Sequence, residues 1–197
     1  MKIEVLYFDG CRITMQLSNE FEVSAPPERT WVMLNDVPRV VPCMPGAELT
    51  RVVGENQWEA TLHVKLGPIS LQFITEVTRE LVDEGARRVR LAAKAREAKN
   101  RGSAEANMES TVSAAGPGTH VQIQTDLTLR GAVAQYGRGV VPEVAKQLTA
   151  QFAGCLQRQL EEGTEAQTSE QRGPDPVLGM RLGLVALWRS IVARYRR

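Results

Sequence analysis

Between residues 16 and 130 apolar and polar side chains alternate with a period of two, the pattern of half-buried strands. Leu17, Phe21 and Val23 alternate with Gln16, Ser18, Glu20 and Glu22. Ala25-Pro26-Pro27-Glu28-Arg29 then predicts a helix start with proline in the first turn. Trp31, Val32 and Leu34 give that short helix an apolar side, and Asn35-Asp36 and Pro38 end it. A second short helix or turn over Arg39–Met44 stops at Pro45-Gly46. Six more strands follow, at about Glu48–Val53, Trp58–Leu66, Ile69–Asp83, Arg87–Glu97, Gly102–Ala115 and Thr119–Arg130. Their links are short: Gly54-Glu55-Asn56, Gly67-Pro68, Asp83-Glu84-Gly85 and Gly116-Pro117-Gly118. Such links make successive strands antiparallel neighbours.

After Arg130 the period changes. Val133, Tyr136, Val140, Val144, Leu148, Phe152 and Cys155 recur every three or four residues, the stripe of a long amphipathic helix from about Ala132 to Glu162. Gly131, Gly137, Gly139 and Pro142 weaken its start. The order predicts an α+β helix-grip (START-like) fold. It is a curved, seven-stranded antiparallel sheet around one long C-terminal helix, with two short helices after the first strand. Only that helix is large enough to cover the apolar face of the sheet. Residues 1–14 read as an N-terminal extension, with Met15 an alternative start. Residues 15–162 form the domain, the polar and acidic stretch 163–176 reads as a flexible linker, and 177–197 stands apart.

The inward face, taken strand by strand, points to a cavity. Trp58, Ala60, Leu62, Val64 and Leu66 face in from one strand, and Ile69, Leu71, Phe73, Thr75 and Val77 from the next. The following two strands present Val89, Leu91, Ala93 and Ala95, then Gly102, Ala104, Ala106, Met108 and Val112. Outward faces carry Glu59, His63, Lys65, Arg88, Arg90, Lys94 and Arg96. Two neighbouring strands thus offer alanine and glycine where a packed core wants leucine or isoleucine. Interiors fill space at near-crystal density, so the missing volume is met by a closer helix or by a guest. The helix opposite, with Gly137, Gly139 and Ala145, does not supply it, and an apolar pocket is the more economical reading. Asn19, in register with Leu17 and Phe21, and Tyr136 bring polar groups for the polar end of an apolar ligand; each is equally readable as a satisfied structural group.

Composition changes the picture at the C-terminus. The formal net charge of +1 argues against nucleic acid as a partner, but residues 177–197 hold Arg181, Arg189, Arg194, Arg196 and Arg197 and no acid. The longest charge-free run there, Leu182–Trp188, is far short of the roughly 20 apolar residues of a membrane span. At helical spacing Val177, Met180, Leu184, Trp188, Ile191 and Tyr195 share one side. That pattern predicts a helix lying in the interface of an anionic membrane, with Arg181, Leu184, Trp188, Arg189, Ile191, Arg194, Tyr195, Arg196 and Arg197 as its contacts. Docking on a partner protein, or back on its own domain, are the competing readings.

Catalytic chemistry finds little support. His63 falls on a polar face and His120 beside a Gly-Pro-Gly turn, both positions of solvated residues. No nucleophile elbow, zinc-protease, P-loop or dinucleotide motif occurs. Cys11, Cys43 and Cys155 are odd in number and widely spaced, which predicts neither a disulfide framework nor a zinc site and fits a reducing cytoplasm. Cys43 reads as a small apolar filler. A non-catalytic carrier of an apolar ligand is the expectation.

Several motifs together resemble the CoxG family of carbon monoxide dehydrogenase subunits, within the START/polyketide-cyclase superfamily. They are Phe21-Glu22-Val23 with the Pro-Glu-Arg-Thr-Trp helix start, Cys43-Met44-Pro45-Gly46-Ala47, and Lys65-Leu66-Gly67-Pro68-Ile69 with Phe73. Thr125-Asp126-Leu127 and Gly131-Ala132-Val133-Ala134-Gln135-Tyr136-Gly137 complete the set. The resemblance covers residues 15–160. It implies a helix-grip fold with an internal cavity, partnership with a molybdenum-containing carbon monoxide dehydrogenase-type enzyme, and a place at the cytoplasmic face of the membrane. It also implies carriage of a respiratory quinone such as menaquinone, with no covalently bound cofactor and no metal. The expected ligand contacts are Asn19, Phe21, Met44, Phe73, Ala93, Ala95, Ala104, Ala106, Met108, Leu127, Tyr136, Val140, Val144 and Leu148. A dehydrogenase assembly factor and a cyclase-like enzyme are the alternatives.

Overall fold

The computed structural model describes residues 2–9, 11–66, 69–136 and 139–171. Among them eight strands form one antiparallel sheet: β1 (Lys2–Phe8), β2 (Arg12–Val23), β3 (Ala47–Gly54), β4 (Gln57–Leu66), β5 (Ile69–Asp83), β6 (Arg88–Glu97), β7 (Gly102–Ala115) and β8 (Gly118–Gly131). Their order across the sheet is β1-β2-β8-β7-β6-β5-β4-β3. The α+β helix-grip expectation holds, with one strand more than expected. Residues 1–14 are not a loose extension. Lys2–Phe8 pairs with β2 from Lys2↔Ser18 to Phe8↔Ile13, and β2 itself begins at Arg12. Alternation does not reveal β1 because Val5–Phe8 is a continuous apolar run, and all four side chains are exposed.

Helices α1 (Pro27–Asn35) and α2 (Val37–Val40) follow β2, and a 3-10 turn, Val41–Cys43, leads to β3. Each opens with proline in its first turn, where a missing N–H costs nothing. The Asp36 side chain accepts from the Arg39 amide and caps α2. Gly46 turns the chain into β3 at φ +78°, and a Cβ there would lie 2.3 Å from the carbonyl oxygen of His63. Only glycine fits that approach.

The long helix α3 spans Val141–Gln171, not Ala132–Glu162. Residues 132–136 form a separate 3-10 turn. Residues 139–140 are a turn as well, so the weak sequence before Pro142 ends one element and starts another. Pro142 sits in the first turn of α3, where proline is tolerated. At the other end, residues 163–171 are helical and not linker. Their Glu, Ala and Gln favour helix and outweigh Gly163. The rest of the expected linker, 172–176, and the tail 177–197 lie outside the described residues. The chain divides into two units, residues 1–161 and 162–197. Among the described residues no helix is long and apolar enough to cross a membrane.

The first unit keeps its apolar side chains on one face of the sheet. The opposite face carries polar ladders. Gln16 donates to Asp126 at 3.0 Å, Thr14 and Thr128 hydroxyls meet at 3.1 Å, and Arg90 donates to Glu109 at 2.8 Å. Arg51 pairs with Glu59. Such exposed pairs add little stability each, but they fix which face is wet and so hold the register.

Candidate functional site

The core beneath α3 is in two pieces. One cluster joins Ile13, Met15, Leu17, Leu71, Phe73, Leu129, Val133 and Ala134, with Val141 and Ala145 from the first turns of α3 packed on it. The other joins Val23, Ala25, Met33 and Cys43 to Phe152, Leu156 and Leu160 further along α3. Phe21 meets Phe152 edge-on at 5.9 Å. Between the clusters, Val144 and Leu148 of α3 stay half-buried and belong to neither.

The sheet opposite explains this gap. Ala93 pairs with Ala106 and Ala95 with Ala104, so four alanines form one tile on the inward face. The next position along is Leu91 against Met108. Ala93, Ala106, Leu91 and Met108 are all half-buried, although strands flank them on both sides. In a filled core these positions would be sealed from solvent.

The expected ligand contacts therefore fall into three groups. Ala93, Ala106, Met108, Val144 and Leu148 line the gap, and Val140 is half-buried at the start of α3. Ala95, Ala104 and Leu127 edge the first cluster, Met44 and Phe21 edge the second, and Phe73 is buried within the first. Asn19 lies in β2 between Leu17 and Phe21 and is 7% exposed. The side chain of Tyr136 and the whole arginine-rich tail lie outside the described residues.

A second concavity goes beyond the sequence expectations. An open groove of about 410 Å³ runs between α1–α2 and the β3 edge, lined by Val32, Asn35, Val37, Val52, Trp58 and Arg79. Trp58 pairs with Val77, which pairs with Ala93, so the groove ends beside the alanine tile. Arg79 holds its wall together. It donates to the Asn35 carbonyl at 3.0 Å, the Glu55 carbonyl at 3.2 Å and Asn56 Oδ1 at 2.9 Å, and lies 5.4 Å from the Trp58 ring centre. Only packing of α1 against β3 creates this groove; its one sequence trace is the apolar pair Val52-Val53 beside a turn.

Charge on the inward face is tied up. Glu97, at the end of β6, is buried and accepts from the Arg101 guanidinium at 2.6 Å and the Lys99 and Arg101 amides at 2.8 and 3.1 Å. The Arg101 hydrogen bond, helped by those amides against the cost of desolvation, holds its carboxyl down at about 2. His63 is exposed, and His120 lies 3.6 Å from Glu20 on the outward side. Among the described residues no cluster of side chains could hold a metal ion.

The cysteine expectation needs correction. Cys43 and Cys155 form a disulfide, with Cα atoms 5.3 Å apart and 112 residues between them in sequence. It ties the turn before β3 to α3 inside the second cluster. Cys43 is therefore a crosslink and not a filler, and Cys11 alone is a free thiol, exposed at the surface.

Comparison with solved structures gives the class. A conserved protein from Geobacillus kaustophilus superposes with a TM-score of 0.66 at 17% identity, over 75% of this chain and 95% of that one. An aromatase/cyclase from Streptomyces sp. R1128 gives 0.56 at 14% identity, over 75% and 94%. A truncated norcoclaurine synthase from Thalictrum flavum gives 0.51 at 14%, over 76% and 98%. The fold is that of the START/polyketide-cyclase superfamily. Within it, residues 20–161 match the CoxG family of carbon monoxide dehydrogenase subunits, and the chain belongs to that family. No curated protein matches it.

Proposed function

We propose that this protein is a non-catalytic carrier that holds a respiratory quinone, menaquinone or a close relative, over the alanine tile. In this reading it serves a molybdenum-containing carbon monoxide dehydrogenase at the cytoplasmic face of the membrane. The observation that carries the proposal is the divided core. Sheet and helix enclose a strip of alanine, methionine, valine and leucine that neither cluster fills. A flat apolar ring with a hydrocarbon tail suits such a strip, and the groove beside Trp58 gives it an open side. Family membership supports the partner, since a dehydrogenase needs a route for electrons into the membrane pool. The tail pattern at residues 177–197 supports the membrane.

The fold also serves enzymes, as the aromatase/cyclase and the norcoclaurine synthase show for themselves. Carriage is preferred here because the inward charges, Glu97 and Arg79, are engaged by the fold. The test is Ala106→Leu. A side chain that fills an existing gap leaves stability unchanged or raises it, while overpacking a full core costs about 1–3 kcal/mol. Full-length wild type is expected to yield a quinone on solvent extraction and mass spectrometry, and the variant, equally stable, to yield none. A destabilised variant, or an empty wild type isolated from quinone-replete membranes, would refute the proposal.

A further inference from the structure

Among the described residues of the first unit three threonines are buried: Thr30, Thr75 and Thr119. Two have partners. Thr119 donates to the Ala25 carbonyl at 2.6 Å, and Thr30 shares its hydroxyl between Thr119 and the Pro26 carbonyl. Thr75 differs. It is 8% exposed, and its Oγ1 is buried with no hydrogen-bond partner. A buried hydroxyl without a partner carries a desolvation penalty that valine, of the same shape and similar strand preference, does not.

Its neighbours show what that hydroxyl can meet. Thr75 sits in β5 on the inward face, opposite Ala60 of β4 and Ala95 of β6, and Ala104 of β7 continues the row. A polar group is thus set among the smallest apolar side chains of the sheet. We infer that the Thr75 hydroxyl donates a hydrogen bond to a carbonyl oxygen of the guest lying over the alanine tile. It thereby selects an oxygenated ring over a plain hydrocarbon. The inference rests on the carrier reading and adds the group that recognises the ligand's polar end.

The test is Thr75→Val in the full chain, with two ligands measured by equilibrium dialysis: 2,3-dimethyl-1,4-naphthoquinone and 2,3-dimethylnaphthalene. The substituted quinone leaves no open ring carbon for the exposed Cys11 thiol to attack. Wild type is expected to prefer the quinone. The variant should bind the quinone roughly tenfold more weakly, the worth of one hydrogen bond, and the hydrocarbon as before. Without ligand, the variant should melt no lower than wild type, because it loses an unpaired polar group. An unchanged quinone affinity, or an equal loss for both ligands, would overturn the Thr75 assignment and leave the carrier reading standing. A lower melting point in the empty variant would do the same, since the hydroxyl would then have a partner inside the fold. If wild type binds neither ligand, the carrier reading falls and this assignment falls with it.

Discussion

Reducing the Cys43–Cys155 disulfide should cost this domain a large part of its stability. The bond closes a loop of 112 residues, from the turn before β3 to the second half of α3. Restricting an unfolded chain over that length is worth about 5 kcal/mol by loop entropy, against the 2–4 kcal/mol typical of native disulfides. The gain acts mainly on the unfolded chain, so the folded structure need not change. Cys43 is 2% exposed and packs with Met33, Phe152 and Leu156, so both thiols stay in place on reduction. Urea unfolding of oxidised, reduced and Cys43→Ala/Cys155→Ala protein measures the effect. The midpoint should fall on reduction, and the slope should rise because the open chain exposes more surface. The double variant should ignore the reductant. Thiol titration of unfolded protein should find one reactive group, Cys11, before reduction and three after. Three thiols in the untreated protein, or identical curves with and without reductant, would refute the crosslink.

Other consequences are as direct. Gly46→Ala should destabilise the domain by more than about 2 kcal/mol in urea unfolding, because its Cβ collides with the His63 carbonyl at a positive φ. Glu97 has its carboxyl lowered from 4.5 to about 2. Its contribution to stability is therefore complete above pH 4.5 and lost as pH falls through 2, so Glu97→Gln should flatten that stretch of the acid-unfolding profile. Arg181→Glu with Arg189→Glu should abolish sedimentation with anionic liposomes, and undiminished binding would remove the tail as the membrane contact.

The sheet is legible in the sequence because alternation fixes parity. Once Leu62, Phe73, Ala93 and Ala106 are placed on alternating strands joined by short turns, all four must share a face. The alanine tile then follows without coordinates, as does the outward place of His63. What parity cannot supply is distance. The pairing of Ala93 with Ala106, instead of a neighbour two residues away, depends on register set by the Glu97–Arg101 turn. Cys43 and Cys155 come together only because α3 crosses back over the 3-10 turn before β3, which no spacing rule contains. β1 escapes the pattern for the opposite reason. An edge strand need not alternate, because neither of its faces has to be buried. The ends of α3 depart from expectation where local preference decides. Pro142 opens the helix instead of weakening its interior, and the glutamates and glutamines after Gly163 extend it past a residue that usually stops one.

Binding without turnover follows from where the fold spends its charged groups. A cyclase working inside this cleft would need a proton donor or acceptor free to change state near the guest. Glu97 faces inward, yet three donors hold its carboxylate well below the range of a general acid at neutral pH. Arg79 faces the groove, yet three acceptors and the Trp58 ring occupy it. Both act as fasteners, one closing the turn between β6 and β7, the other joining α1 to the β3–β4 turn. What remains beside the gap is apolar surface and one hydroxyl, that of Thr75. Such a surface can orient a carbonyl and exclude water, and it leaves a redox-active ring chemically unaltered for delivery elsewhere.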